Sequence, residues 1–161
     1  DLMRFLEPRC IRAHLDTARK ETLFALIAKD FENIVPEARR GEIRKALWER
    51  EALQNTSVGD GIAMPHATLT NVRRSYLGIY VTAKPIDYQA PDNQPVDVCF
   101  VTLGPPSDRQ VHLLLLAAVS NLALNTDLVE RLRDALKSGD VLESVEEALK
   151  KLGSSAENPK Q

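Results

Sequence analysis

The sequence predicts a single α/β domain, and three observations carry that expectation. Val96-Asp-Val-Cys-Phe-Val-Thr-Leu103 is apolar on both faces apart from Asp97 and Thr102, the pattern of a central strand covered by helices. Leu77 to Ala83 alternates, with Leu77, Ile79 and Val81 on one face and Tyr76, Gly78, Tyr80 and Thr82 on the other, which reads as a half-buried strand. Apolar stripes at helical spacing recur before and after these strands. A chain of 161 residues supports one core, whereas two would each be small.

Taken in order, Asp1 to Asp16 mixes apolar and charged residues, and Pro8 limits any helix there. A short lead-in that packs Leu6 and Ile11 on the body is expected. His14 has no partner pattern and reads as a surface or satisfied histidine. From Thr17, Leu23, Leu26, Ile27 and Phe31 form a helical stripe, with Lys20, Glu21 and Lys29 on other faces; the helix stops before Val35-Pro36. A second helix spans about Glu37 or Gly41 to Glu51 and buries Ile43, Ala46 and Leu47. Arg50 continues that stripe, so its guanidinium either snorkels outward or meets an anion at the edge of the core.

Asn55 to Gly61 is a loop by composition, followed by a short extended segment, Ile62 to Met64, that Pro65 stops. Lys84 to Pro95 is a loop or short hairpin, and Gly104-Pro-Pro106 ends the central strand. Ser107-Asp-Arg-Gln110 has the form of a capping box, opening a helix to about Leu124 that is apolar all round and therefore expected inside. His112 lies in its first turns. A core histidine bonded to a backbone carbonyl is one reading, and a group serving an anion at the helix N-terminus is the other. Asn125-Thr-Asp127 caps the next helix, with Leu128, Val129, Leu132 and Leu136 inward and Gly139 as its stop. Asp140 to Glu143 forms another capping box, for a helix that buries Val145, Ala148, Leu149 and Leu152 and ends at Gly153. The domain is thus expected over residues 1–153, and the polar stretch 154–161 as a disordered tail.

Composition removes several function classes. A net charge of -2, with acids and bases interspersed, gives no basic field for nucleic acid. The longest apolar run, Val111 to Val119, falls short of the ~20 residues of a spanning helix, and no leader segment is expected within the chain. The chain opens at Asp1 without methionine, which leaves a larger parent open, a membrane-bound one included. Cys10 and Cys99 form no CxxC pair and read as reduced thiols of a cytoplasmic protein.

The stretch Arg50-Glu-Ala-Leu-Gln-Asn-Thr-Ser-Val-Gly-Asp-Gly-Ile-Ala-Met-Pro-His66-Ala67 stands out. Small or apolar residues and Pro65 precede His66 and a small one follows, so its imidazole sits on restrained backbone with little beside it. Gly59 and Gly61 could offer backbone N–H groups to an anion, although Gly-x-Gly is common in turns and no P-loop lysine follows.

GIAMPHA after a glycine-containing loop, with Arg-Glu before it, resembles the phosphohistidine motif of enzyme IIA domains of the bacterial phosphoenolpyruvate-dependent phosphotransferase system, in the fructose, mannitol and nitrogen-regulatory class. The likeness runs from Leu6 to Leu152 and includes Pro95-Val-Asp97 leading into a strand and His112-Leu-Leu in the helix after it. It implies a mixed central β-sheet flanked by helices on both sides. It puts the phosphorylated histidine on His66, the second active-site histidine on His112 and the active-site arginine on Arg50. Asp60 matches an acidic position near the site in some members, and Gly59, Asp60 and Gly61 are taken as phosphate-stabilising. Ala67 departs from the glycine that many members carry.

On that resemblance, His66 takes a phosphoryl group from a histidine-containing phosphocarrier protein and passes it to an enzyme IIB domain or to a regulatory target. Met64, Leu69 and Val58 are expected at the apolar rim where partners dock. No cofactor is implied, and any membrane contact is indirect, through a partner or parent transporter. Two other readings stand beside this one. The first is a regulatory module whose phosphorylation state controls binding, without sugar transport. The second is a metal site built on His66 and His112, for which no convincing third ligand is present.

Overall fold

The structure, a computed structural model, describes residues 2–157. After a 3-10 turn at Leu2–Arg4, the chain runs β1 (Leu6–Leu15), α1 (Lys20–Ile34), α2 (Glu42–Leu53), β2 (Ser57–Gly59), β3 (Ile62–Ala63), β4 (His66–Thr68), β5 (Tyr76–Ile86), β6 (Val96–Gly104), α3 (Arg109–Leu124), α4 (Thr126–Asp134) and α5 (Ser138–Glu157). The strands form one sheet in the order β1-β5-β6-β3-β2, with β4 also paired to β6. β1 runs parallel to β5, and β3 and β4 run parallel to β6; the β5–β6 and β2–β3 pairs are antiparallel. The sheet is therefore mixed.

Helices cover both of its faces. On one, Leu23, Phe24, Ile27 and Phe31 of α1 and Ile43 and Leu47 of α2 pack with Tyr80, Cys99, Val101 and Leu103. On the other, α3, α4 and α5 bring Leu115, Val119, Leu132 and Val145 onto Leu77, Ile79, Val98 and Phe100. β6 is buried along nearly its whole length, as its two-sided apolar pattern requires. β5 is buried on both faces from Tyr76 to Thr82, a correction to the half-buried reading: its Tyr and Gly residues face α1 and not solvent. Gly78 is where Phe31 comes closest, since a Cβ there would lie 2.9 Å from its ring.

The expected lead-in is a strand. Leu6 and Ile11 are buried as expected, but Leu6–Leu15 is the edge strand of the sheet, where Pro8 is tolerated because the lost N–H leaves no central ladder incomplete. The loop expected over Asn55–Gly61 contains β2, which turns into β3 through Asp60 and Gly61 at φ 56° and 78°. Positive φ at both central residues is the hairpin geometry that an Asp-Gly pair favours.

Expectations for three of the helices change. α3 does not lie inside: Leu115, Val119 and Leu122 are buried, whereas Leu113 and Leu114 are 60% and 66% exposed. The capping box at its start does not form, because Asp108 occupies the N-cap position and its side chain makes no cap hydrogen bond. α4 is capped as expected, Asn125 accepting from the Leu128 N–H, but it stops at Asp134. Leu136 is exposed, and Gly139 falls in the first turn of α5. α5 continues past Gly153 to Glu157, so the stretch expected as a tail begins as helix; residues 158–161 lie outside the described residues.

Among the described residues no single helix is long and apolar enough to cross a membrane.

Candidate functional site

Pro65 divides the edge of the sheet beside β6. β3 pairs Ile62 with Val98 and Ala63 with Cys99; the pairing resumes in β4, where His66 lies opposite Thr102 and Ala67 opposite Leu103. Proline has no N–H to give a ladder, and Met64 lies between the two short strands, its own N–H donated to the Thr56 carbonyl at 2.9 Å. Its carbonyl thereby faces the imidazole, and His66 Nδ1 bonds to it at 2.9 Å.

That contact and one other fix the protonation pattern of His66. A carbonyl only accepts, so Nδ1 carries the proton and donates it to Met64. Arg50 Nε only donates, and it lies 3.0 Å from His66 Nε2, which must present its lone pair. The ring is held neutral with Nε2 as its free base. Burial pushes the His66 pKa below its ordinary value; the Met64 carbonyl opposes the shift, and the Arg50 charge adds to it.

Arg50 reaches this position from the last turn of α2, on the stripe that begins with Ile43 and Leu47. Its Nη1 donates to the Gln54 carbonyl at 2.9 Å, satisfying a carbonyl that the helix end leaves free. No carboxylate pairs with Arg50 among the described residues. Of the two readings of this guanidinium, outward snorkelling does not describe it: it points at the imidazole.

His112 comes from the opposite layer. It is the fourth residue of α3, its N–H donating to the Asp108 carbonyl at 3.1 Å, and its ring centroid lies 5.8 Å from that of His66. Burial, then the neighbouring His66, lowers its pKa. The two rings and Arg50 line one open cavity of about 690 Å³, completed by Glu49, Leu53 and Thr68. Three groups spread over 62 positions of sequence thus converge from α2, β4 and α3.

The turn over Gly59, Asp60 and Gly61 is not in this cavity. The Gly61 carbonyl accepts from Asp97 N–H, and the Asp60 carbonyl accepts from Arg133 Nη2. Asp97 and Thr102 are five residues apart on β6, so the turn lies roughly 16 Å along the strand from His66. Its positive-φ residues serve the hairpin. The rim also differs from expectation. Met64 and Leu69 are buried core residues, and Val58 belongs to β2; the exposed large apolar side chain that lines the cavity with the histidines is Leu53.

A buried ion pair with little signal in the local pattern adjoins the site. Lys20, expected on a face of α1 other than its apolar stripe, is buried with Glu51, their side chains each 4% exposed and 2.9 Å apart. The adjacency of Glu51 to Arg50 is the one local trace of this arrangement. Among the described residues no His, Cys, Asp or Glu joins the two histidines to make a three-ligand metal cluster.

Residues 4–148 match the family model described as "Phosphoenolpyruvate-dependent sugar phosphotransferase system, EIIA 2". The chain belongs to that family. A nitrogen regulatory protein homolog of Haemophilus influenzae is 32% identical over 142 residues, 86% of either chain. Among solved structures, nitrogen regulatory protein IIA-Ntr of Neisseria meningitidis superposes with a TM-score of 0.82 at 23% identity, covering 89% of this chain and 99% of that one. The mannitol IIA enzyme of Escherichia coli, solved in complex with phosphorylated enzyme IIB, gives a TM-score of 0.71 at 16% identity, with coverage of 86% and 96%. These neighbours share the mixed sheet with helices on both faces.

Proposed function

We propose that this EIIA-type domain is a phosphoryl relay in which His66 Nε2 accepts the phosphoryl group of a histidine-containing phosphocarrier protein. The observation that carries the proposal is the pair of hydrogen bonds that fixes the imidazole, Nδ1–H on the Met64 carbonyl and Nε2 turned to Arg50. Arg50 releases Nε2 and turns its donors to the phosphoryl oxygens. The Nε2 lone pair then forms the N–P bond while the N–P bond of the donor breaks, its electron pair returning to the donor imidazole. Positive charge that builds on the His66 ring is shared with Nδ1–H and met by the Met64 carbonyl. His112 sits across the cavity to hydrogen-bond the phosphoryl oxygens, and with Arg50 stabilises the charge in transfer.

The same geometry run in reverse hands the group onward. An enzyme IIB domain is the acceptor that the mannitol complex supports, and the relay reading places the exchange in the cytoplasm. The likeness to nitrogen regulatory proteins favours a second reading of the output, in which phospho-His66 itself is the signal: roughly two added negative charges in the cavity create or abolish docking of a regulatory target.

Incubation with phosphoenolpyruvate, enzyme I and the carrier protein, followed by intact mass, tests the relay. An acid-labile phosphoryl adduct is expected on the wild type and not on His66→Ala. Its absence from folded wild-type protein overturns the reading.

A further inference from the structure

Beneath the cavity lies a buried polar network that no step above uses. Glu51 is the residue after Arg50. Its Oε1 accepts from Lys20 Nζ at 2.9 Å and from the Thr56 N–H at 3.1 Å, and its Oε2 accepts from the Thr56 hydroxyl at 2.6 Å. That hydroxyl has spent its one proton on Glu51, so Tyr88 OH, 2.7 Å away, donates to it. Burial holds the Tyr88 phenol above its usual pKa and thus protonated. Lys20 also donates to the Tyr88 carbonyl at 3.0 Å, and its ammonium lies 3.9 Å from the centre of the Tyr88 ring. Each hydrogen-bonding atom of the Glu51 carboxylate and the Thr56 hydroxyl has a partner.

A buried ion pair is a poor way to gain stability, since apolar side chains of similar size do as well or better. A fully satisfied network does define geometry. This one ends at the imidazole. Glu51 holds Thr56 by its N–H and its hydroxyl; the Thr56 carbonyl holds the Met64 N–H; the Met64 carbonyl holds His66 Nδ1–H. One carboxylate therefore fixes the loop that orients His66, from the helical turn that presents Arg50.

We propose that Glu51, locked by Lys20 and coupled through Thr56 and Met64, is a positioning residue that sets the tautomer and direction of the His66 imidazole. The proposal deepens the relay reading but does not depend on transfer being observed, because the imidazole is positioned before any phosphoryl group arrives.

The test uses the whole chain, unphosphorylated, with ring nitrogen-15 shifts of His66 followed across pH, beside phosphoryl-acceptance kinetics. In Thr56→Val the Nδ1–H tautomer loses its dominance, and kcat for acceptance falls about tenfold while KM for the carrier stays within about twofold. Thr56→Ser, which keeps the hydroxyl, restores both. Glu51→Gln acts in the same direction, and its His66 titrates lower because the carboxylate that favoured the imidazolium is gone. If Glu51→Gln does not fold, the Thr56 pair carries the test. Variants that fold and leave the His66 tautomer and titration as in the wild type overturn the proposal and make the network a structural ion pair only. A wild type that takes no phosphoryl group overturns the relay, and the nitrogen shifts still decide the positioning.

Discussion

Two arginines at opposite ends of β6 occupy similar depths and have opposite surroundings. Arg133 is saturated: its Nε bonds both oxygens of Asp97 at 2.9 and 3.1 Å, its Nη1 reaches Glu130 at 3.0 Å, and its Nη2 takes the Asp60 carbonyl. Arg50 has a neutral imidazole and one carbonyl, with no anion and no partner on Nη2 among the described residues. A guanidinium whose charge is matched joins α4 to the β2–β3 hairpin and to β6. One whose charge is unmatched, beside a free ring nitrogen, suits the proposed relay, in which an anion arrives and leaves.

If this contrast is right, the two ends fail differently. Arg50→Ala lowers phosphoryl acceptance by about 10²–10³-fold and changes the melting midpoint little; single-turnover transfer and thermal unfolding on one sample check both. Arg133→Ala does the reverse. It strands the Asp97 carboxylate and removes about 2 kcal/mol of stability, less than for a fully buried pair because both groups are partly solvated. Its transfer rate per folded molecule stays within about twofold of wild type. Equal loss of transfer in both variants would break the comparison.

Gly61→Ala sharpens the saturated end. A Cβ at φ 78° would meet Arg133 Nη2 at 2.7 Å and Asp97 Oδ1 at 3.0 Å. Urea unfolding is expected to show a loss of about 1–2 kcal/mol, with acceptance at His66 unchanged. At the unsaturated end, Leu53→Ala removes an exposed apolar side chain from the cavity that holds both histidines. KM for the carrier rises by about fivefold, or about 1 kcal/mol, with no fall in stability.

The smallest effect is in pH. Folded His66 and His112 bind protons less tightly than the unfolded chain, whose imidazoles titrate near 6.5. Their contribution to stability is thus full above pH 6.5 and is lost as pH falls through the folded values. Melting midpoints between pH 7.5 and 5 should decline more in the wild type than in a His66→Asn, His112→Asn variant. Acceptance likewise persists at pH 6.5 and fails at lower pH, where Nε2 takes a proton and has no lone pair to give.

How much of this was legible in the sequence depended on the range of the cause. α1, α2 and α4 follow from stripes only a few residues long, and β6 from a run whose two faces are both apolar. β1 was missed because an edge strand needs neither pattern, and Pro8 argues against a strand anywhere but an edge. β4 was missed because three residues after a proline carry no periodicity. α3 misled for a different reason: its leucines look like core, and whether a leucine on an apolar helix faces the sheet or open solvent is settled by how the helix docks. A family resemblance singles out His66, Arg50 and His112, and the fold brings the three into one cavity. Lys20 and Glu51 were not found, since 31 residues separate them and a buried lysine is written like an exposed one. The turn at Gly59–Gly61 shows the converse: glycines whose pattern suggests phosphate donors sit in a hairpin outside the cavity of His66.

The parallel pairing of β1 with β5 has a consequence in time. The first strand finds its partner register, Leu6 beside Leu77, only after some seventy further residues exist. At synthesis rates of roughly 5–20 residues per second, that interval is roughly 4–14 s. Through it β1 has no strand partner while α1, α2 and the short strands around His66 are already made. This long-range pairing is therefore set at one edge of the sheet, and the histidine lies toward the other.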